Sequence, residues 1–208
     1  MSDIIYGAGG HGRELAFQLG QISRPVACFI DDFSNARVER DIPVFSYPDA
    51  RHLHHDATWH VAIGDIPVRN KLLEKLRNDG IKVGGFQSSA TIAAPSAHIE
   101  PTAQVFGLSV ISDGCLIGHD VIVNFGCIIS HDVGVGRGSI ICPRVAIAGN
   151  VQIGSNVWLG VGCTIINGSR DRPITIGNGA YVGAGSCVIS DVAENALVYG
   201  VPAKARES

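Results

Sequence analysis

Three short groups of residues in this sequence have types and spacing suited to chemistry. The first is Gly7-Ala8-Gly9-Gly10-His11-Gly12, which fits G-x-G-x-x-G and stands between a strand pattern, Ile4 to Tyr6, and a helix pattern, Arg13 to Leu19. In that setting backbone N–H groups and a helix N-terminus favour a phosphate. Asp31 and Asp32 follow a second strand, Val26 to Ile30, about 20 residues on, where an acid can hold a ribose. The second group is His131-Asp132, in a row of turns otherwise filled by small residues. An imidazole titrates near neutrality and an adjacent carboxylate can set its tautomer, so the pair could move a proton. The third is Ala148-Gly149-Asn150, whose glycine lets a substrate approach the backbone and offers an N–H to a developing oxyanion. Each group has a plainer reading as well. The glycines would equally serve a tight strand-to-helix turn, and His131 would equally suit an ordinary surface turn.

The elements that must position these groups follow two different rules. Counting in sixes from Ile99, every landing through Ile165 is aliphatic, twelve hexads without a slip, and the fifth position, from Ala103 to Ser169, holds only small or β-branched residues. A fixed short period of this kind predicts a parallel β-helix, each coil stacked on the one before. One coil is three hexads, which places Gly149 over His131. The count breaks after Ile165 and resumes at Ile176, Val182 and Val188, with Ala180, Ser186 and Val192 in the small position, so Ser169 to Pro173 reads as a loop pushed out of one coil. Cys115, Cys127, Cys163 and Cys187 are read as small core residues with reduced thiols, since no C-x-x-C pair exists.

Ahead of residue 87 the pattern is alternating strand and helix. A strand is expected over His60 to Ile63, and a helix capped by Asp65, started by Pro67 and closed by Gly80, with Val68, Leu72, Leu73 and Leu76 on one face. A last short strand is expected over Ile81 to Gly85. This is an α/β unit with a parallel sheet, about half of a doubly wound domain. The expected division is residues 1–86, a small Rossmann-like α/β domain, and 87–208, a β-helix with a C-terminal cap; Ile92 is expected to begin an irregular first coil. With the second half of a dinucleotide fold missing, a mononucleotide or its diphosphate suits the glycine turn better than NAD. Gly64, in Ala62-Ile63-Gly64-Asp65, ends a strand on the edge where open α/β sheets bind ligands, and Arg69 lies one helical turn later.

The net charge of −3 and pI near 6.2 over 208 residues argue against a nucleic-acid footprint. No apolar run approaches the roughly 20 residues that span a bilayer, and no signal peptide is evident, so a soluble cytoplasmic protein is expected. His98, His119 and His131 are not spaced to stack on one face, and no metal is expected. The terminal Gly200-Val201-Pro202-Ala203-Lys204 can cap the last coil, and its lysine can meet a phosphate.

Taken together, the glycine turn, Ile30-Asp31-Asp32, Ala62-Ile63-Gly64-Asp65, the hexads, His131 with its following acid, Ala148-Gly149-Asn150 and Gly200-Val201-Pro202-Ala203-Lys204 resemble the sugar acyltransferases related to sialic acid O-acetyltransferases, and most of all the nucleotide-linked 4-amino-sugar N-acetyltransferases. The resemblance covers essentially the whole chain. It implies a left-handed β-helix, an exception to the usual crossover hand, assembled as a homotrimer with active sites between subunits and acetyl-CoA as cosubstrate. It implies that the small domain takes a nucleotide-linked amino sugar through Gly9, Gly10, His11, Asp31, Asp32 and Gly64. It assigns the general base to His131, its acidic partner to Asp132 and the oxyanion donor to Gly149. Val161 and Ala184 match contacts along the pantetheine arm, and Pro202 and Lys204 a segment near the coenzyme. Two positions depart from the pattern: Ile140 stands where some relatives have a second histidine, and Phe33 where UDP-sugar enzymes have a lysine. Ser169 to Pro173, with Arg170 and Arg172, stands as an insertion.

The outward hexad position gives the trimer its own support. One face presents Gln104, Ile122, Ile140 and Trp158, a second Val110, Ile128, Ala146 and Thr164, and a third Leu116, Gly134, Gln152 and Arg170. Two apolar faces and a more polar one suit a subunit with two neighbours. The rival functions are O-acetylation of sialic acid or another sugar hydroxyl, and a noncatalytic trimeric scaffold or sugar-binding module. Neither transfer requires nucleic acid or membrane insertion.

Overall fold

The apolar triplet after Asp3 forms a strand buried at every position, an interior strand paired in parallel on both edges. The computed structural model describes residues 2–52 and 56–206, and the chain divides into two units, Met1–Ser89 and Ala90–Ser208. The first unit runs β1 (Asp3–Tyr6), α1 (Gly10–Gln21), β2 (Val26–Ile30), β3 (Val38–Glu39), β4 (Ile42–Phe45), α2 (Tyr47–Ala50), β5 (Thr58–Val61) and α3 (Ile66–Asn78). Its sheet has the order β3-β4-β2-β1-β5, parallel except for the β3 edge.

Several sequence expectations for this unit are corrected. The hairpin β3-β4 and the turn of helix α2 carry too few apolar residues to show a period. The strand expected over His60 to Ile63 lies two residues earlier, and Ile81 to Gly85 contributes only a single bridge, Val83 to Trp59. Asp65 caps α3 by accepting the Val68 N–H at 2.8 Å, as its position predicts. The helix, however, buries Arg69, Leu73 and Leu76 and leaves Val68 exposed.

In the second unit each hexad becomes a two-residue strand, the first side chain outward and the second inward. Three parallel ladders result. The inward stacks run Val123-Ile141-Leu159-Val182-Val198, Ile129-Ile147-Ile165-Val188 and Ile117-Val135-Ile153-Ile176, and all are buried. Corners need left-handed backbone, and Gly, Asn and Asp supply most of it, Asp132 (φ 57°) and Asn150 (φ 56°) among them.

Ile92 opens the first coil, outward and exposed, with Ala93 in the inward slot six residues before Ile99. Further along, the sequence reading misplaces five features. Cys187 is outward beside Thr164 and only partly buried, so it is not a core residue. Ser169 is exposed in the loop. Arg170 does not continue the third face: after the loop, Thr175 takes the place next to Gln152. Val192 stacks on Ile176, because the last coil is shorter, and so it leaves the small position. Finally, Gln104, Ile122 and Ile140 are buried in the single chain, so of the two apolar faces expected it is that of Ile92, Val110, Ile128 and Ala146 that stays open among the described residues.

Candidate active site

The glycine turn divides its glycines between two jobs. Gly7 has φ +113° and Gly12 packs so close that a Cβ would lie 1.9 Å from the Gly7 carbonyl oxygen. These two are required by the strand-to-helix contact. A Cβ on Gly9 or Gly64 would meet nothing within 4 Å, and one on Gly10 only the end of Arg13 at 3.9 Å. Internal packing does not ask for glycine at those three positions, whereas close approach of a ligand to the backbone does. Gly9 caps α1 without a side chain, which leaves the helix N-terminus open to an anion.

Asp31 and Asp32 stand at the end of β2 with distinct partners. Asp31 accepts the N–H groups of Phe33 and Ser34, each at 3.0 Å, and that of Ala8 at 3.3 Å, which ties β2 to the glycine turn. Asp32 accepts the Tyr6 hydroxyl and, at 2.7 Å, the Tyr47 N–H. Burial and then the Asp32 hydrogen bond hold the Tyr6 phenol protonated well beyond its ordinary range. Both aspartates edge a cavity of about 500 Å³ with Gly7, Phe33, Ile63, Val68, Lys71, Leu72 and Lys75 in its wall. The α3 residues in that wall are spaced i, i+3, i+4, i+7, and two of them, Val68 and Leu72, belong to the apolar face expected from the sequence. His11 is pushed down to about 4, by burial first and by the Arg69 charge second, so the ring beside the turn is neutral.

In the β-helix, His131 and Gly149 occupy successive levels of one corner. Asn150 donates its N–H to the His131 carbonyl at 3.1 Å, which fixes the stacking. The imidazole lies over Gly149: a Cβ there would come within 2.4 Å of Cε1 and Nε2. His131 Nδ1 is 2.9 Å from Asp132 Oδ2. With Nδ1–H donating to the carboxylate, the lone pair sits on Nε2, the nitrogen free to take a proton. The ring is 57% exposed, so a substrate can reach it. Asp132, Asn150, Gln152, Arg170 and Pro173 line a groove of about 580 Å³ at this corner.

Other sequence-selected residues lie elsewhere. Val161 and Ala184 stack at the next corner, linked by the Gly185 N–H to Val161 carbonyl bond at 2.9 Å, so one chain does not bring them to His131. Pro202 and Lys204 follow the last coil; Ala203 donates to the Cys187 carbonyl at 2.7 Å, and Lys204 pairs with Tyr199 in a closing antiparallel bridge. His98 and His119 each meet Glu100 at 3.3 Å, away from His131. Among the described residues no group of His, Cys, Asp and Glu has the arrangement to hold a metal.

Residues 4–76 match the PglD N-terminal domain family. Over its whole length the chain is similar to a variant of GDP-perosamine N-acetyl transferase from Caulobacter crescentus, solved with CoA and GDP-perosamine (29% identity, TM-score 0.92, covering 100% of this chain and 98% of that one). It is similar to WeeI from Acinetobacter baumannii AYE (29%, TM-score 0.93, 99% and 100%). It is also similar to the acetyltransferase domain of PglB from Neisseria gonorrhoeae FA1090, solved with acetyl coenzyme A (26%, TM-score 0.89, 99% and 98%). Curated sequences match over less: WbbJ of Escherichia coli (strain K12), named for lipopolysaccharide O-acetyl transfer, is 46% identical over 54 residues, 26% of this chain and 25% of its own length. The chain thus spans about a quarter of the length of the curated relatives it matches. The N-terminal unit is thus of the PglD type, and the whole chain shares the fold of these solved acetyltransferases, an α/β unit followed by a hexapeptide-repeat left-handed β-helix.

Proposed function

We propose that this protein transfers the acetyl group of acetyl-CoA to the amine of a nucleotide-linked amino sugar. The observation that carries the reading is the seating of the His131 imidazole on Gly149 with Nδ1 held by Asp132. The sugar amine attacks the thioester carbonyl carbon and the C–N bond forms as Nε2 removes the amine proton. Gly149 N–H, which meets no backbone carbonyl among the described residues, steadies the tetrahedral oxyanion. Collapse breaks the C–S bond, and the proton on His131 passes to the departing CoA thiolate. Gly9, Gly10, His11, Asp31, Asp32 and Gly64 take the nucleoside end of the acceptor in the N-terminal unit.

The same reading makes the protein a soluble, cytoplasmic homotrimer with the coenzyme between subunits. Two features support it. The contacts assigned to the coenzyme, Val161 and Ala184, stand one corner away from His131 in a single chain, so a neighbour's corner must complete the site. The open face of Ile92, Val110, Ile128 and Ala146, with Leu108, Ile166 and Ile189 exposed at its edges, is an apolar strip suited to a second copy. Light scattering should give three times the chain mass, and a stable monomer would contradict the shared site.

The direct test is His131→Ala assayed with acetyl-CoA and GDP-, UDP- and dTDP-linked amino sugars. Turnover should fall by about 10²–10⁴-fold with coenzyme affinity intact, the usual share of a general base. Unchanged turnover would remove His131 from the role.

A further inference from the structure

The inserted loop Ser169 to Pro173 hangs from the corner that carries His131. Gly168 N–H donates to the Gly149 carbonyl at 3.0 Å, and Ile174 N–H donates to that of Asn150 at 3.1 Å, so both ends of the loop are fixed by the residues beside the imidazole. Inside it, Ser169 and Arg172 exchange backbone hydrogen bonds of 2.9 and 3.1 Å, and Ser169 Oγ accepts the Arg172 N–H at 3.1 Å. Gly168 has no room for a side chain, since a Cβ would sit 2.5 Å from the Asn150 carbonyl oxygen. The loop is therefore a built wall of the groove at this corner.

That groove combines three chemistries. Asp132 belongs to the proton-transfer pair, Asn150 and Gln152 offer amides suited to sugar hydroxyls, and Arg170 is the single cation among the lining residues. A volume of about 580 Å³ accommodates a hexose with a phosphate attached. Its side is informative. Gln152 projects from the face that follows the His131 corner, whereas the corner of Val161 and Ala184 lies at the far edge of the face that precedes it. The coenzyme contacts and the groove thus lie on opposite sides of the imidazole.

We infer that Arg170 is a specificity-determining residue that pairs with the phosphate carried by the amino sugar, so that a nucleotide-linked acceptor is favoured over the free sugar. The inference rests on the reaction proposed above. A guanidinium presents its donors as a planar fork that matches two phosphate oxygens, which an ammonium cannot reproduce. Coenzyme A also carries phosphates, and the test separates the two sources.

Wild type, Arg170→Ala and Arg170→Lys are compared in two ways. Calorimetry measures the affinity of each for GDP-perosamine and for CoA, with no turnover required. Initial rates are then taken with GDP-perosamine and with the same amino sugar lacking its nucleotide. Loss of the charged hydrogen bonds should weaken GDP-perosamine binding and raise its KM by about tenfold, with CoA affinity unchanged, the free sugar unaffected and lysine restoring only part. Unchanged GDP-perosamine affinity would overturn the inference, as would a loss confined to CoA. A wild type that binds GDP-perosamine through Arg170 but releases no CoA would instead overturn the reaction and leave the contact standing.

Discussion

Gly149→Ala separates the seating of the imidazole from its mere presence. The added Cβ would lie 2.4 Å from His131 Cε1 and Nε2 and 2.9 Å from Nδ1. Ordinary carbon contacts begin near 3.5 Å, so the ring must retreat by about 1 Å. Gly149 does not have the positive φ that would strain an alanine, and the imidazole is more than half exposed, so the ring can swing toward solvent. The cost to folding should stay within about 1 kcal/mol. Catalysis should suffer far more, because misplacing a reacting group by about 1 Å can cost about 10²-fold. The assay is CoA release under saturating cosubstrates, alongside thermal melts of both proteins. Since the effect acts through the ring, the double variant Gly149→Ala, His131→Ala should be no slower than His131→Ala alone. A Gly149→Ala enzyme that keeps wild-type turnover, or a double variant much slower than His131→Ala, would refute the reasoning.

Three further outcomes are expected. Gly9→Ala should leave the melting temperature unchanged and weaken nucleotide binding, whereas Gly12→Ala, driven into the Gly7 carbonyl, should destabilise the N-terminal unit itself; thermal melts with and without GDP distinguish them. His11, held at about 4 in the folded protein against about 6.5 unfolded, contributes stability that is complete above pH 6.5 and lost as pH falls through 4, on the order of 3 kcal/mol; denaturant midpoints at pH 7 and 4.5 should differ less in His11→Asn. Burial raises the thiols of Cys28 and Cys127 to about 11 and those of Cys142 and Cys163 to about 12, so native alkylation mapped by mass spectrometry should mark Cys187 first and these four only after unfolding.

The β-helix was legible because its physics is repetitive. Each coil places an aliphatic residue over the last, so Val123, Ile141 and Leu159 announce one stack and fix the level of Gly149 over His131. The count failed where one register does not apply. Arg170 and Ser169 leave the coil with the loop, Val192 belongs to a shortened turn, and Cys187 sits one residue away from the inward slot. Nor does a hexad reveal what covers an outward side chain: Ile122 and Ile140 are read from the sequence as a face for a neighbouring subunit and are already buried within the single chain. In the N-terminal unit the glycine turn and the Asp65 cap were readable from local rules. The cavity beside Asp31 was not. Arg69 takes a buried position that the apolar pattern gives to an aliphatic residue, while Val68, Lys71, Leu72 and Lys75 line the cavity.

The central claim is N-acetyl transfer from a corner of the β-helix. It is tested most directly by incubating wild type and His131→Ala with acetyl-CoA and a nucleotide-linked amino sugar, and analysing the product by mass and by hydroxylamine treatment. The account predicts one acetyl group per sugar, resistant to hydroxylamine as an amide is, formed by wild type and lost with His131. A hydroxylamine-labile ester, or an amide formed equally well without His131, would contradict it.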